Sequence, residues 1–156
     1  MIEIIIANEK HLDSLVSLNI EVQNLHVRFE PQIFKEPDRD EIKAFFREVL
    51  KDKNREIFIC CDEQQPIGYI LLQIGGHEGH AFCYTQKWIY IDQIGVTKEF
   101  RGKGVGKKLI EAARDYARKH HINRIMLDVW SVNENAKAFF KKQGFNIFHE
   151  KMRLDI

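Results

Sequence analysis

The feature that most restricts the fold is a strand that runs through a glycine-rich turn into a helix. Trp88–Val96 is rich in β-branched and aromatic residues, and apolar residues at helical spacing follow over Gly104–His120. The turn between them contains Gly102, Gly104 and Gly106. Because Arg124–Val129 is another strand-forming segment, this stretch predicts a β-α-β unit with a right-handed crossover between parallel strands. A sheet covered by a helix is therefore the minimum architecture for this chain.

Seven further segments extend this unit into a mixed α/β domain. Strands are predicted over 2–7, 57–60, 67–74 and 145–154, and helices over 9–28, from Asp38 onward and over 134–143. The two middle strands flank a short polar turn and predict an antiparallel hairpin, so the sheet should be mixed. The 156 residues contain no repeat, linker or low-complexity segment, and we expect a single domain over 1–156.

Charge, cysteine content and hydropathy exclude several classes of protein. The 24 Lys and Arg residues balance 23 Asp and Glu residues, so no basic excess indicates nucleic-acid binding. The three cysteines, Cys60, Cys61 and Cys83, form a sparse and odd set that is typical of a reducing compartment. No apolar run approaches the about 20 residues of a membrane span. We therefore expect a cytoplasmic protein that binds neither nucleic acid nor membranes.

The glycine-rich turn is suited to an anion. Glycines let the backbone approach a ligand closely, and the first amides of a helix have no partner inside the helix. These amides form the positive end of the helix dipole and favour phosphate or pyrophosphate. The ATP-binding P-loop pattern fails, because Arg101 replaces its first glycine and Lys108 replaces its Ser or Thr. The dinucleotide pattern fails as well, because the glycines alternate.

Two motifs together resemble the GNAT superfamily of N-acetyltransferases. The segment Arg101-Gly102-Lys103-Gly104-Val105-Gly106 matches that family's R/Q-x-x-G-x-G/A loop, which binds the pyrophosphate of acyl-CoA. The segment from Leu127 through Asn133 to Gly144-Phe145 is similar to the family's strand–Asn–helix–Gly-Phe segment. The resemblance is strongest over 88–148, and the order of elements fits the family along the whole chain.

The resemblance implies a fold and an activity. The fold would be a central mixed β-sheet whose fourth and fifth strands splay apart, flanked by four helices. Acetyl-CoA would lie in the resulting gap as the cosubstrate. A primary amine, on a small molecule or a peptide, would attack the thioester directly in a ternary complex. The protein would act as a monomer or a homodimer.

The resemblance also implies which residues bind the cosubstrate. A bulge in strand 88–96 would free backbone groups near Ile94, Gly95 and Val96, which would polarise the thioester carbonyl. Asn133 would hydrogen-bond the pantetheine arm, and Phe140 would pack beside the thioester. The pyrophosphate would be held by the backbone of Arg101, Gly102, Lys103, Gly104, Val105, Gly106 and Lys107.

One departure from the family pattern leaves a second function open. Many relatives have a Tyr four residues before the Gly of the Gly-Phe pair, where it protonates the departing thiolate. That position is Phe140 here, which cannot donate a proton. The missing acid would slow transfer by about 10²-fold. It also allows an alternative, an acyl-CoA-binding sensor with little or no turnover.

The candidate catalytic residues lie on the same strand. Unless the bulge shifts the alternation, Tyr90, Asp92, Ile94 and Val96 should share one face, and Asp92 and Tyr90 are both candidates for the general base. The alternative for Asp92 is a structural carboxylate that pairs with a cation or orders water.

Two other groups of residues are weaker candidates. Glu21, His26 and Glu30 lie in the half of the chain that resembles the family's acceptor-lining helices, and they could line a pocket for a cationic amine. His77, His80 and Cys83 recur at three-residue steps but lack a paired fourth ligand. We predict no metal site there, and expect a hairpin tip.

Overall fold

The computed structural model of the protein describes residues 1–156 as a five-stranded sheet with four α-helices. The strands are β1 (Ile2–Ile6), β2 (Arg55–Asp62), β3 (Gln65–His77), β4 (Gln86–Val96) and β5 (Ile125–Met126). The helices are α1 (Leu12–Phe29), α2 (Arg39–Val49), α3 (Val105–Lys119) and α4 (Glu134–Lys142). Short 3₁₀ turns at Glu9–His11 and Lys98–Phe100 precede α1 and α3. No helix has both the length and the apolar character that crossing a membrane requires.

The sheet is mixed, as the sequence predicts. The strands follow one another in chain order, and only the β4–β5 pair is parallel. Two hydrophobic clusters cover its two faces. One contains Ile70, Leu72, Ile89 and the buried side of α3, and the other contains Leu71, Ile57 and the buried sides of α1 and α2. The α3 crossover therefore lies on the face of the sheet opposite α1.

Polar caps define two of the helix starts. The Asp38 Oδ1 atom accepts a hydrogen bond of 2.9 Å from the Glu41 amide at the start of α2. The Asn133 Oδ1 atom accepts one of 3.1 Å from the Ala136 amide at the start of α4. Such caps satisfy amides that have no partner within the helix, which confirms the predicted cap at Asp38.

The predicted last strand is wrong. Residues 145–154 alternate in polarity, but the structure gives them no strand, and the predicted strand over 124–129 shortens to Ile125–Met126. A strand needs a hydrogen-bonded neighbour as well as a suitable pattern, and β5 pairs with β4 alone. The tail instead extends towards α1, where Arg153 forms an ion pair of 3.7 Å with Glu30.

Gly95 allows α1 to approach β4 closely. A Cβ atom at Gly95 would lie 2.6 Å from Cγ2 of Val22 and 3.1 Å from Cε1 of Tyr69. Distances this short are well inside van der Waals contact, so a side chain here would push α1 away from the sheet. The close packing of α1 on β4 therefore requires a residue without a side chain at position 95.

We expect Gly95→Ala to lower the free energy of unfolding by about 1–3 kcal/mol, because the added methyl group overpacks this contact. Val22→Ala should relieve the clash, so the double variant should lose less stability than the two single variants added together. Chemical denaturation of all four proteins measures this coupling. Strict additivity would contradict the proposed contact.

Candidate active site

The sheet opens between β4 and β5. The two strands share only the pairs Ile89–Ile125 and Tyr90–Met126. β4 continues to Val96 without a partner on that side, while it remains paired with β3 on the other. The predicted splay of the fourth and fifth strands is thereby confirmed. It leaves an unpaired backbone edge on β4, and such an edge can hydrogen-bond an extended ligand.

A β-bulge lies at Asp92. Leu71 of β3 pairs with Gln93 and Leu72 pairs with Ile91, so Asp92 has no partner of its own. The predicted bulge in strand 88–96 is thereby confirmed, and it lies directly before the segment Gln93–Val96. Bulges re-aim side chains, and this one changes which residues share a face.

The bulge separates the candidate residues of β4 into two groups. Ile94 and Val96 pack against the cluster on the α3 side of the sheet. Gln93 pairs with Leu71 of the α1-side cluster, and Tyr90 pairs with Gln73, which is two residues further along β3 and so shares the face of Leu71. The shared face expected for Tyr90, Ile94 and Val96 is therefore absent. The bulge shifts the alternation, so Tyr90 and Gln93 lie on the α1 side.

Tyr90 contacts a carboxylate across the opening. Its hydroxyl donates a 2.6 Å hydrogen bond to Oδ2 of Asp128, which follows β5. Partial burial, and then this bond, raise the pKa of Tyr90 well above its usual value. The phenol therefore keeps its proton, which is directed at Asp128, and only its oxygen remains to accept a further hydrogen bond. Sequence reasoning missed the role of Asp128, because nothing in the spacing indicates a contact over 38 positions.

Asp92 is exposed to solvent, but its carboxylate is partly shielded from water. The partial loss of water raises the pKa of Asp92 above its ordinary value, and the nearby positive charge of Arg55 opposes that rise. A carboxylate with a raised pKa holds an accepted proton better, which suits a general base.

The glycine-rich turn presents an open backbone surface. Gly102 and Gly104 have φ angles of +75° and +84°, and a Cβ atom on either would meet nothing within 4 Å. The N-terminus of α3 carries no side-chain cap and no acidic residue in its first turn, unlike α2 and α4. Lys107 is exposed beside these uncapped amides. Positive charge and unpaired amides therefore coincide in open space, which favours an anion.

Other residues of the turn have packing roles. The Val105 side chain is buried in the core. A Cβ atom at Gly106 would lie 2.9 Å from Cζ of Phe139, so this glycine lets α4 pack against α3. The Lys103 ammonium lies 5.0 Å from the centre of the Phe100 ring. Any anion contact by Val105 or Gly106 must therefore come from the backbone.

Arg101 connects the turn to α1. Its Nε atom donates to the Val96 carbonyl at 3.0 Å, and a terminal nitrogen lies 3.2 Å from Oε2 of Glu21. Glu21 is thus already paired with a cation, which weakens its expected role in binding a substrate amine.

The acceptor candidates on α1 lie close to aromatic residues. His26 stacks on Phe34 with ring centres 4.9 Å apart, and Phe34 meets Trp130 edge to face at 5.3 Å. Burial lowers the pKa of His26, so the imidazole is neutral near pH 7. Glu30 is paired with Arg153. These contacts join α1, the following loop and the segment after β5, and no sequence pattern pointed to Phe34 or Trp130.

The second motif supports α4. The Asn133 side chain caps the helix through its oxygen, which leaves the amide nitrogen as a donor. Phe140 is only 8% exposed and contacts the rings of Phe139 and Phe145, with centres 5.1 and 5.5 Å away. Phe140 is thus a buried hydrocarbon ring in the core cluster on the α3 side of the sheet.

Relatives of known sequence are N-acetyltransferases by name. Streptothricin acetyltransferase A of Bacillus subtilis is 28% identical over 120 residues, which cover 77% of this chain and 62% of that protein. N-alpha-acetyltransferase 30 of Schizosaccharomyces pombe is 30% identical over 88 residues, 56% of this chain and 55% of that protein. The chain thus spans between half and two thirds of the length of these relatives.

Solved structures share the fold. A mutant Bacillus halodurans protein superimposes with a TM-score of 0.91 at 23% identity, over 99% of both chains. An aminoglycoside N-acetyltransferase in complex with CoA superimposes with a TM-score of 0.79 at 20% identity, over 100% of this chain and 95% of the other. The sequence profile of the acetyltransferase (GNAT) family matches residues 19–145. Because that match covers most of the sequence, this chain belongs to the GNAT family of acetyltransferases.

Proposed function

We propose that the protein transfers the acetyl group of acetyl-CoA to a primary amine. The observation that carries the proposal is the opening of the sheet after Tyr90 and Met126, directly before the uncapped turn at Gly104. An extended cosubstrate can pair with the free edge of β4 while its phosphates lie at the start of α3. The family membership and the N-acetyltransferase names of the relatives support the same activity.

The residues present fit acetyl-CoA. Gly102 and Gly104 leave open space where a pyrophosphate would bind the amides of the turn. Lys103 and Lys107 would add positive charge, and the free amide nitrogen of Asn133 would donate to the pantetheine arm. The backbone from Asp92 to Val96 would face the thioester. Bound acetyl-CoA would supply the activated acetyl group, with a thiolate as leaving group.

Asp92 is the group proposed to accept the proton of the acceptor, and Tyr90 is proposed to orient the acceptor. The Asp92 carboxylate would accept a proton from the ammonium form of the acceptor, directly or through water, so that the amine can attack the thioester. The amine would attack in a ternary complex, since Cys60 and Cys61 are buried and Cys83 lies on an exposed loop away from β4's free edge. The Tyr90 oxygen, whose only proton is donated to Asp128, would accept a hydrogen bond from the acceptor amine and so help to orient it.

A binding module without turnover is the second candidate. The observation that favours it is Phe140, whose buried ring stands where a proton donor would be expected. Such a module would bind acyl-CoA at the same turn and release no CoA with any amine. Thiol release measured across simple amines, amino sugars, amino acid amides and peptide N-termini separates the two functions.

We expect Gly104→Asp to abolish stabilisation by acetyl-CoA. A ligand that binds only the native state at about 100 times its Kd raises Tm by about 5 °C or more, and a carboxylate in this turn would repel the pyrophosphate. Gly104→Asn is the matched control, because Asp and Asn are isosteric and both tolerate a positive φ. Thermal unfolding with and without acetyl-CoA checks this. Equal stabilisation of both variants would rule out the turn as the phosphate site.

We expect Asp92→Asn to remove one limb of the pH profile. The wild-type rate should fall as pH drops through the raised pKa of Asp92, because protonation removes the base. The variant should be slower at neutral pH by about 10²–10⁴-fold, and the difference should shrink below that pKa. Single-turnover rates against pH provide the measurement. Asp115→Asn on the exposed side of α3 is the control. An identical effect of both variants on the rate would contradict the role of Asp92 as the general base.

We expect Phe140→Tyr to increase the transfer rate by up to about 10²-fold. The added hydroxyl would stabilise the departing thiolate only as charge develops, so affinity for acetyl-CoA should stay near the wild-type value. Phe145→Tyr adds a hydroxyl to the neighbouring ring and serves as the control. A Phe140→Tyr enzyme no faster than this control would mean that departure of the thiolate is not limiting or that another donor already serves.

A further inference from the structure

A buried group of three polar side chains lies behind the β4 bulge. Nδ2 of Asn19 donates to the hydroxyl of Tyr69 at 3.0 Å and to Oε1 of Gln93 at 3.1 Å. The Tyr69 hydroxyl donates to the same Gln93 oxygen at 2.8 Å. Asn19 is the only residue with an amide or a charged side chain among the buried residues, and Tyr69 is fully enclosed. Polar groups in such a place are stable only when hydrogen-bonded, so the arrangement is strongly constrained.

The hydrogen bonds determine which way the Gln93 amide faces. The Asn19 amide nitrogen faces both oxygens, which lie 2.8 Å apart and share its donor, and burial raises the pKa of Tyr69, so its hydroxyl keeps its proton and donates. The two donors converge on the Gln93 oxygen. The amide nitrogen of Gln93 must therefore point away from the buried group, with two donors that take no part in it.

Gln93 lies where an acceptor would meet β4. It directly follows the bulged residue Asp92 and shares the α1-side face with Tyr90. Asn19 and Tyr69 are buried, whereas Gln93 keeps partial exposure. Further along the strand, Val22 covers the same face at Gly95. The exposed side of this group is thus the Gln93 amide, next to the proposed base.

We propose that Gln93 is a specificity-determining residue that selects amines with a carbonyl or hydroxyl oxygen beside the amino group. Asn19 and Tyr69 are positioning residues that fix the orientation of the Gln93 amide. An outward N–H pair binds an oxygen of the acceptor while Asp92 contacts its amino group. The acceptor class is then amino acid amides, peptide N-termini or amino sugars, in preference to unsubstituted alkylamines. This inference rests on the proposed transferase function.

The first experiment tests the amide orientation without any activity. Asn19→Asp replaces the buried donor nitrogen by an oxygen that faces the Tyr69 and Gln93 oxygens, and should lower Tm by more than about 5 °C. Gln93→Glu keeps the inward acceptor and changes only the exposed end, so its Tm should fall by less than about 2 °C. The reverse order of the two isosteric variants would overturn the orientation and the proposal with it.

The second experiment measures acceptor choice with two amines of matched shape. Glycinamide has a carbonyl beside the amine, and isobutylamine has methyl groups in its place. We compare the ratio of their kcat/KM values between variants, so that the different basicities of the two amines cancel. Gln93→Glu should lower the preference for glycinamide by about tenfold, because a carboxylate cannot donate to a carbonyl.

Tyr69→Phe and Tyr116→Phe form the matched pair for the positioning role. Both tyrosines are buried, but the Tyr116 hydroxyl takes no part in the group. Tyr69→Phe should lower the preference for glycinamide several-fold and leave the KM for acetyl-CoA unchanged, whereas Tyr116→Phe should leave the preference as in the wild type. A general loss of stability would reduce transfer to both amines equally.

The outcomes separate this inference from the transferase proposal. A wild-type protein that releases no CoA with any amine contradicts the proposed function, and the order of the Tm values still tests the amide orientation. An active wild-type protein whose preference is unchanged in Gln93→Glu contradicts the role of Gln93 alone.

Discussion

The separation of β4 from β5 is the constraint on which the rest of the structure depends. After Tyr90 and Met126 the two strands part, while β4 stays bonded to β3 along its other edge. Unpaired backbone groups are costly when they are buried away from water, so this edge is stable only if it faces solvent or a ligand. The free edge of β4 leads into the turn at Gly104, and α4 packs against the start of α3 through Phe139 and Gly106. The proposed chemistry needs all of them in one place.

The two faces of β4 make different contacts with the rest of the protein. On one face Ile89 and Ile91 belong to the core beneath α3 and fix the strand against the crossover helix. On the other face the bulge at Asp92, the buried group of Asn19, Tyr69 and Gln93, and the close approach of Val22 to Gly95 attach the strand to α1. A polar group tolerated in the core specifies one register more sharply than apolar contacts do. It therefore suits a strand whose outer edge has no neighbour to align it.

The turn before α3 shows local structure that is unfavourable by itself. Two glycines with positive φ and a helix start without a cap leave amides unsatisfied, whereas the neighbouring helices use Asp38 and Asn133 as caps. Glycine accepts the backbone geometry without steric cost, and Arg101 ties the turn to Val96 and Glu21. Departures from good local structure are expected where a binding site requires them.

The sequence alone was sufficient to predict the elements whose signals are local. Hydrophobic spacing, the Asp38 cap and the glycine pattern predicted four helices, the mixed sheet and the glycine-rich turn before α3, and the two-motif resemblance predicted the splay. The prediction of a last strand failed, because alternation over 145–154 is typical of a strand but does not provide a neighbouring strand to pair with. Only the tertiary structure decided the site of the bulge, the contact of Tyr90 with Asp128, and the convergence of Asn19 and Tyr69 on Gln93. Each of these joins residues distant in the chain, and such contacts form only when the whole sheet and its helices are packed.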